Sequence, residues 1–326
     1  MKKAVFILLL YTTIDCLGAN DTEIAIFSYT GTGDTMWVTD ANLTFSANAI
    51  MVFSIEDSAC LWTSTMGANA TSVLACDYGT RSGLIISVTD DSFQVSEDEI
   101  VNKNAATYYV VAIKTDDVIS KVGSWTGNGV DNRWINIGID VDFLLVKNDY
   151  LANTLWKISE ITGDSTVFMA GGPAFVNYIQ AMSADSIQLG NSGYVNGSGH
   201  TYWYLALTNI DSLIFVGKAP AGNQADDRDI DLGWSYTPDF ALVNSSTYDT
   251  KSALRINEGG ETTASVLGCV SYEALEALIS GGYTVSYDVT CGHYLNNNSR
   301  YDWSLLLNEG SSITSDTKPQ SIVIYD

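Results

Sequence analysis

The chain has 326 residues, 46% hydrophobic and 11% aromatic but only 16% charged, with 15 Lys and Arg against 38 Asp and Glu and a net charge of -23. That content of apolar and aromatic side chains excludes a disordered chain, and the glycines lack the strict period of a collagen. The acidic balance supplies no basic surface for nucleic acid. The length suits two or three domains, each able to bury a core.

Residues 1–19 read as a signal peptide. Lys2 and Lys3 precede an apolar run from Ala4 to Leu10, and the small residue Ala19 follows Cys16-Leu17-Gly18. The alternative is an unprocessed buried first strand. Cleavage would remove two lysines and one aspartate, leaving the remainder one unit more negative. No other apolar run is long enough to cross a membrane, and Ile14-Asp15 before Cys16 does not suit a lipidated cysteine.

The chain repeats itself. VGSWTGNGVDNRWINIG at 122–138 returns as VGKAPAGNQADDRDIDLG at 216–233, with Asp131, Arg133 and Gly138 falling on Asp226, Arg228 and Gly233, and FSYTGTG at 27–33 is an earlier copy of the opening. The strands IMVF at 50–53, FLLV at 143–146 and FALV at 240–243 follow in corresponding places. Val101-Asn102 with Tyr108, Val195-Asn196 with Tyr202 and, more loosely, Leu295-Asn296 with Tyr301 close the units. Three tandem modules result, at 22–117, 118–210 and 211–308, with a β-like tail at 309–326.

Within each module, short apolar or alternating runs bounded by Gly, Asn, Asp and Ser read as strands. One stretch breaks the pattern. Phe175, Tyr178, Ile179 and Met182 stand at i, i+3, i+4, i+7 behind Pro173, and Ala274, Leu275, Leu278 and Ile279 form a similar stripe, so a short amphipathic helix is expected at each place. About seven short strands per module favour an all-β fold with short helices: three antiparallel β-sandwiches of jelly-roll, lectin-like type.

Cys60, Cys76, Cys269 and Cys291 remain after the leader, and Cys76 and Cys269 end the same phrase, ATSVLAC and TASVLGC. Of the three possible pairings the within-module one, Cys60 with Cys76 and Cys269 with Cys291, is preferred, with four buried thiols as the alternative.

Chemistry is sparse. His200 and His293 do not align between modules, and there is no phosphate loop, HExxH or CxxC, so no catalytic residue is assigned. A carboxylate pair of a glycosidase carries no motif, and nothing singles one out. Asp227, Asp229 and Asp231 lie on one face of an expected strand and are candidate calcium ligands, although a solvated strand face is the preferred reading. The pair Asp140 and Asp142 and the phrase TGDS at 162–165 offer less. Trp62 and Trp156 follow leucines at one equivalent position and Trp125 replaces Tyr29, which marks all three as packing residues. Trp37, Trp134 and Trp234 stand in turn-rich regions and are the candidate ligand-binding aromatics, suited to stacking on sugar rings. Sequons at Asn42, Asn69 and Asn196 are expected by chance in so Asn-rich a chain.

The opening GSWTGNG, the following INIGIDVDFLLVK or IDLGWSYTPDFALV, then LWKISEITGD and the closing YVNGSGHTYWY resemble a repeat module of tailed-phage tail, fibre and other virion structural proteins and of some bacterial surface proteins. Gly233-Trp234 with Pro238-Asp239-Phe240, and Val195-Asn196 with Gly199 to Tyr202, carry the resemblance, which covers modules two and three better than the first. It implies a lectin-like sandwich, a structural or receptor-facing role and no catalytic residues. A leader departs from it, since virion proteins assembled in the cytoplasm need none.

The expectation is a non-enzymatic, exported structural protein that polymerises with copies of itself or with other surface proteins through its modules and through the terminal strands 22–29 and 320–326. A phage virion subunit and a carbohydrate-binding adhesin are the alternatives, with no cofactor beyond possible calcium, no nucleic acid and no membrane span in the mature chain.

Overall fold

The computed structural model describes residues 21–54, 59–67, 70–74, 80–151, 153–169, 174–210, 212–225, 228–245, 252–257, 264–266, 275–285 and 302–309. The first module runs β1 (Glu23–Thr30), β2 (Met36–Thr39), β3 (Ala49–Ser54), β4 (Ala59–Thr63), β5 (Ala70–Val73), β6 (Thr80–Ser82), β7 (Ile85–Val88), β8 (Ser92–Val95), α1 (Glu99–Asn102) and β9 (Thr107–Lys114). The second runs β10 (Ser120–Thr126), β11 (Arg133–Asn136), β12 (Phe143–Asn148), β13 (Leu155–Ile158), β14 (Val167–Phe168), β15 (Ile179–Met182), β16 (Ser186–Leu189), α2 (Gly193–Asn196) and β17 (Thr201–Leu207). In the third are β18 (Ile214–Lys218), β19 (Arg228–Asp231), β20 (Phe240–Ser245), β21 (Ala253–Ile256), β22 (Ala264–Val266), β23 (Leu275–Ile279), β24 (Gly282–Val285) and β25 (Asp302–Leu307).

One topology recurs three times. The large sheets are ordered β1-β9-β3-β4-β5-β6, β10-β17-β12-β13-β14 and β18-β25-β20-β21-β22, and the small ones β2-β8-β7, β11-β16-β15 and β19-β24-β23. Neighbouring strands are antiparallel. In each module one face of the large sheet packs on the small sheet; Ile50 and Val52 meet Val38 and Phe93, Leu144 and Val146 meet Ile187 and Leu189, and Ala241 and Val243 meet Ile230 and Tyr283.

The opposite faces are buried as well. Met51, Phe53 and Leu61, Leu145, Trp156 and Leu205, and Leu242, Leu254 and Leu305 all belong to one core shared by the three modules. Each pair of modules is joined directly. The rings of Phe53 and Phe240 lie 6.0 Å apart, the Trp156 Nε1–H donates to Ser252 Oγ at 3.2 Å, and the hydroxyls of Thr22 and Ser120 are 2.5 Å apart. Burial on both faces explains why AIMVFS and FLLVKN read as continuous runs rather than alternations. A strand with one wet face would alternate.

The register also corrects an equivalence. Met51 pairs with Leu61, Leu145 with Trp156 and Leu242 with Leu254, whereas Trp62, Lys157 and Arg255 pair with Ile50, Leu144 and Ala241. Trp156 therefore corresponds to Leu61, not Trp62. A shift of one residue reverses the face, so Trp156 enters the shared core while Trp62 packs within its own module.

Where the two expected helices are described, strands run instead, over Ile179–Met182 and Leu275–Ile279. β15 and β23 each carry a bulge, between Ile179 and Ala181 and between Leu275 and Ala277, and β7 carries the same one between Ile85 and Ser87. Three residues on the bulged strand then span two on its partner, so Ile179 opposes Leu189 and Met182 opposes Ile187. Apolar residues three apart face the core, which imitates a helical stripe. Pro173 and Ala274 lie outside the described residues. Among the described residues the helices are single turns in the closing phrase, capped by the side chains of Asp98 and Ser192.

Candidate functional site

The repeated polar residues hold loops. In α2, the buried Asn196 accepts from Asn128 N at 3.0 Å and Arg133 Nη1 at 3.1 Å, and its amide donates to Val130 O at 2.7 Å and Gly190 O at 3.2 Å. In α1, Asn102 accepts from Thr32 N at 2.7 Å and donates to Asp34 O and Ser96 O. Each asparagine thus satisfies the loop after the first strand of its module, where no ladder partner exists. Tyr108 and Tyr202 donate to Glu99 O and Gly193 O and accept from Lys103 N and Gly197 N, closing the turn. Burial pushes the Tyr202 hydroxyl pKa up. Gly31 and Gly127 run so close to the Lys103 and Gly197 carbonyls that no Cβ fits. Asn296 and Tyr301 lie outside the described residues.

A second lock went unnoticed in the sequence. Asn48, Asp142 and Asp239 stand one residue before the apolar runs of β3, β12 and β20 and accept from the backbone of Thr115 at 2.9 Å, Asn209 at 2.8 Å and Glu309 at 2.8 Å. Burial pushes the Asp239 carboxyl up while the Glu309 N–H pulls it down. The signal was an Asn or Asp before each repeated run. Asp142 also accepts from Ser159 Oγ at 2.9 Å, so it serves the fold. The carbonyl of Asp140 accepts from Thr208.

Buried cations at one equivalent position were missed as well. Lys157 donates to Gly163 O at 2.8 Å and Ser165 O at 2.6 Å, and burial lowers its pKa to about 8, partly offset by Asp164. At the matching position in module three, Arg255 donates to Leu275 O at 2.8 Å. Both replace water by carbonyls at the rim of a core.

The candidate residues divide. Trp37 and Trp134 are 46% and 52% exposed, but Trp234 is buried, stacked on Phe215 with ring centroids 5.8 Å apart. Its exposure was wrongly expected, because it lies past β19 in a loop that folds inward. Asp229 and Asp231 are exposed and flank the buried Ile230; the first accepts from Thr284 Oγ1 at 2.7 Å and the second from Gly233 N at 2.8 Å. Asp227 lies outside the described residues. Among the described residues no group of three His, Cys, Asp or Glu side chains is placed to hold a metal.

Cys60 is buried inside module one and bonded to no other cysteine among the described residues, its expected partner Cys76 lying outside them, and burial pushes its pKa up to about 12. Cys76, Cys269, Cys291, His293 and residues 1–19 and 320–326 lie outside the described residues. His200 stacks on Tyr150 at 3.5 Å and its Nδ1 sits 3.1 Å from Asp149 Oδ1. That pairing fixes a loop beside α2.

The exposed tryptophans occupy one equivalent place. Across the outward face of the small sheet, Trp37 pairs with Gln94, which in turn pairs with Ser87; in module two the row is Trp134, Gln188 and Ala181. In module three it is Asp229, Thr284 and Ala277. Two residues on, Thr39 pairs with Ser92 and Asn136 with Ser186, all uncharged, whereas module three presents Asp231 opposite Gly282.

The fold defines an all-β protein of three sandwich-like modules around a common core. No family model, curated protein or solved structure matches the chain. Among the described residues no helix is long and apolar enough to cross a membrane.

Proposed function

We propose that the chain is a non-enzymatic structural subunit, exported to a surface or the extracellular space, that assembles with copies of itself. The observation that carries this reading is the shared core: the central strands β3, β12 and β20 of the large sheets are buried on both faces, and the recurring polar residues are spent on securing loops. Such a block is rigid and suits construction. The resemblance to virion and bacterial surface modules favours the same use, with a phage particle as the alternative setting.

One assembly route narrows. The segment 22–29 forms β1, paired along its length with β9 of its own module, and on its open edge the Ile26 N–H donates to the Glu309 carboxylate of module three at 3.3 Å. It is therefore not a free strand to donate. The proposed donor is the C-terminal QSIVIYD, which adds to an edge of the next subunit; contacts of that kind that do not close give a filament. Negative-stain microscopy of the purified protein, with intact mass to locate the first residue, tests the reading. Ordered filaments beginning near Asn20 are expected, and deleting 319–326 should leave folded monomers. Filaments persisting after the deletion would remove the donor strand, and dispersed full-length monomers would remove the structural reading in favour of an adhesin.

A further inference from the structure

The outward rows of modules one and two are the same small constellation built twice. Each has an indole about half exposed, a glutamine directly opposite it on the neighbouring antiparallel strand, and a small residue, Ser87 or Ala181, opposite that glutamine. Directly opposed side chains in an antiparallel pair share a face and stand close enough to touch one ligand together. Alternation puts the apolar neighbours Val38 and Phe93, and Ile187, into the core, so the indoles are not there to fill the sandwich. The bulge beside each row bends the third strand at the same point in both modules.

The chemistry of the row selects its occupant. A flat aromatic face takes an apolar ring surface, and an amide beside it offers two donors and an acceptor to hydroxyl groups. Ser92 and Ser186, paired across the ladder with Thr39 and Asn136, give their hydroxyls to the neighbouring Asp91 and Asp185 carboxylates at 3.2 and 2.8 Å, and the flanking row positions themselves are uncharged. This is notable in a chain whose net charge is -23. An anionic ligand meets a repelling field and no cation in the row, and the carboxylates beside it, Asp91 and Asp185, already accept from Ser92 and Ser186. A hydroxylated, uncharged ring satisfies both parts. Module three shows what the row becomes without that requirement: Asp229 and Thr284 bond to each other at 2.7 Å, and Asp231 flanks them.

We infer that Trp37 with Gln94 and Trp134 with Gln188 form two equivalent binding sites for neutral sugar rings, and that module three carries none. The inference stands apart from filament assembly, since it rests on residues of the small sheets and on neither terminal segment.

An array of neutral and acidic oligosaccharides, followed by calorimetry of the full chain with the strongest neutral ligand, tests this. Two sites per chain are expected, with affinity insensitive to salt. Trp37→Ala and Trp134→Ala should each reduce the stoichiometry from two to one, and the double variant should remove binding. Gln94→Leu together with Gln188→Leu should weaken binding roughly tenfold while the indoles remain, as for the loss of one hydrogen bond to the ligand. Unchanged circular dichroism and melting would show that the variants are folded, as exposed positions predict. Failure of every neutral glycan to bind, binding of acidic glycans alone, binding untouched in the double tryptophan variant, or dependence on only one of the two tryptophans would each overturn the paired site.

Discussion

Asn196 shows how a single side chain holds a loop that has no strand to pair with. Its oxygen and nitrogen serve four partners, two on each side of the amide. Removing it orphans polar groups that are partly or wholly buried, and each such group costs about 1–3 kcal/mol. Asn196→Ala should therefore lower the unfolding free energy by about 3 kcal/mol in denaturant titration. Asn196→Asp keeps the acceptor and loses both donors, and should fall between the two. An alanine variant as stable as the parent would mean that water replaces the amide. Lys157 makes a different statement at the same scale. Its pKa, lowered by burial from 10.5 to about 8, means that the unfolded chain binds more protons between those values. Stability contributed through this group is lowest below about pH 8 and rises toward pH 10.5. Against Lys157→Met, which keeps the apolar stem, the parent should gain roughly 1–3 kcal/mol across that window. The comparison cancels titration of Tyr29 and Tyr202, whose raised values act oppositely in both proteins. A difference that stays flat with pH would show that the ammonium is solvated.

At the scale of the element, the sequence disclosed the strands and misreported two of them. The buried runs FLLV and FALV were readable as strands because four apolar residues between turn signals are too few for a helix. Phe175 to Met182 was not readable, since a β-bulge turns the period of two into an apparent period of three to four. Nothing local distinguishes the cases; the bulge shows only in the ladder, where Ile179 and Met182 meet Leu189 and Ile187 of β16. The same limit moved Trp156 by one position. Trp62 and Trp156 both follow a leucine, and only the ladder reveals that β13 is advanced by a residue relative to β4. The repeated Asn102 and Asn196 were visible, but their role was not, because it depends on a loop some 70 residues away in the chain. Trp37 and Trp134 were found through their turn-rich surroundings, which is the property that misled for Trp234.

For the whole molecule, repetition in the sequence announced three units but not that they share a core. Domains joined by linkers usually meet through polar interfaces of modest size. Here Phe53, Leu145, Trp156, Phe240 and Leu242 fill the junction and are almost wholly buried. Each large side chain so placed contributes about 1.5–3 kcal/mol that no module has by itself. A junction of that kind couples the modules, so the chain should open as one unit. Trp156→Ala leaves a cavity at the junction, with an expected cost of about 3–5 kcal/mol. Hydrogen exchange followed by mass spectrometry reads the coupling directly. In the coupled case the variant speeds exchange in β3 and β20 as well as in β12 and β13, although neither β3 nor β20 has been altered. Exchange raised in module two alone would mean that the modules open independently. The apolar junction would then be a contact between separate domains, and the rigidity on which the structural reading rests would be absent.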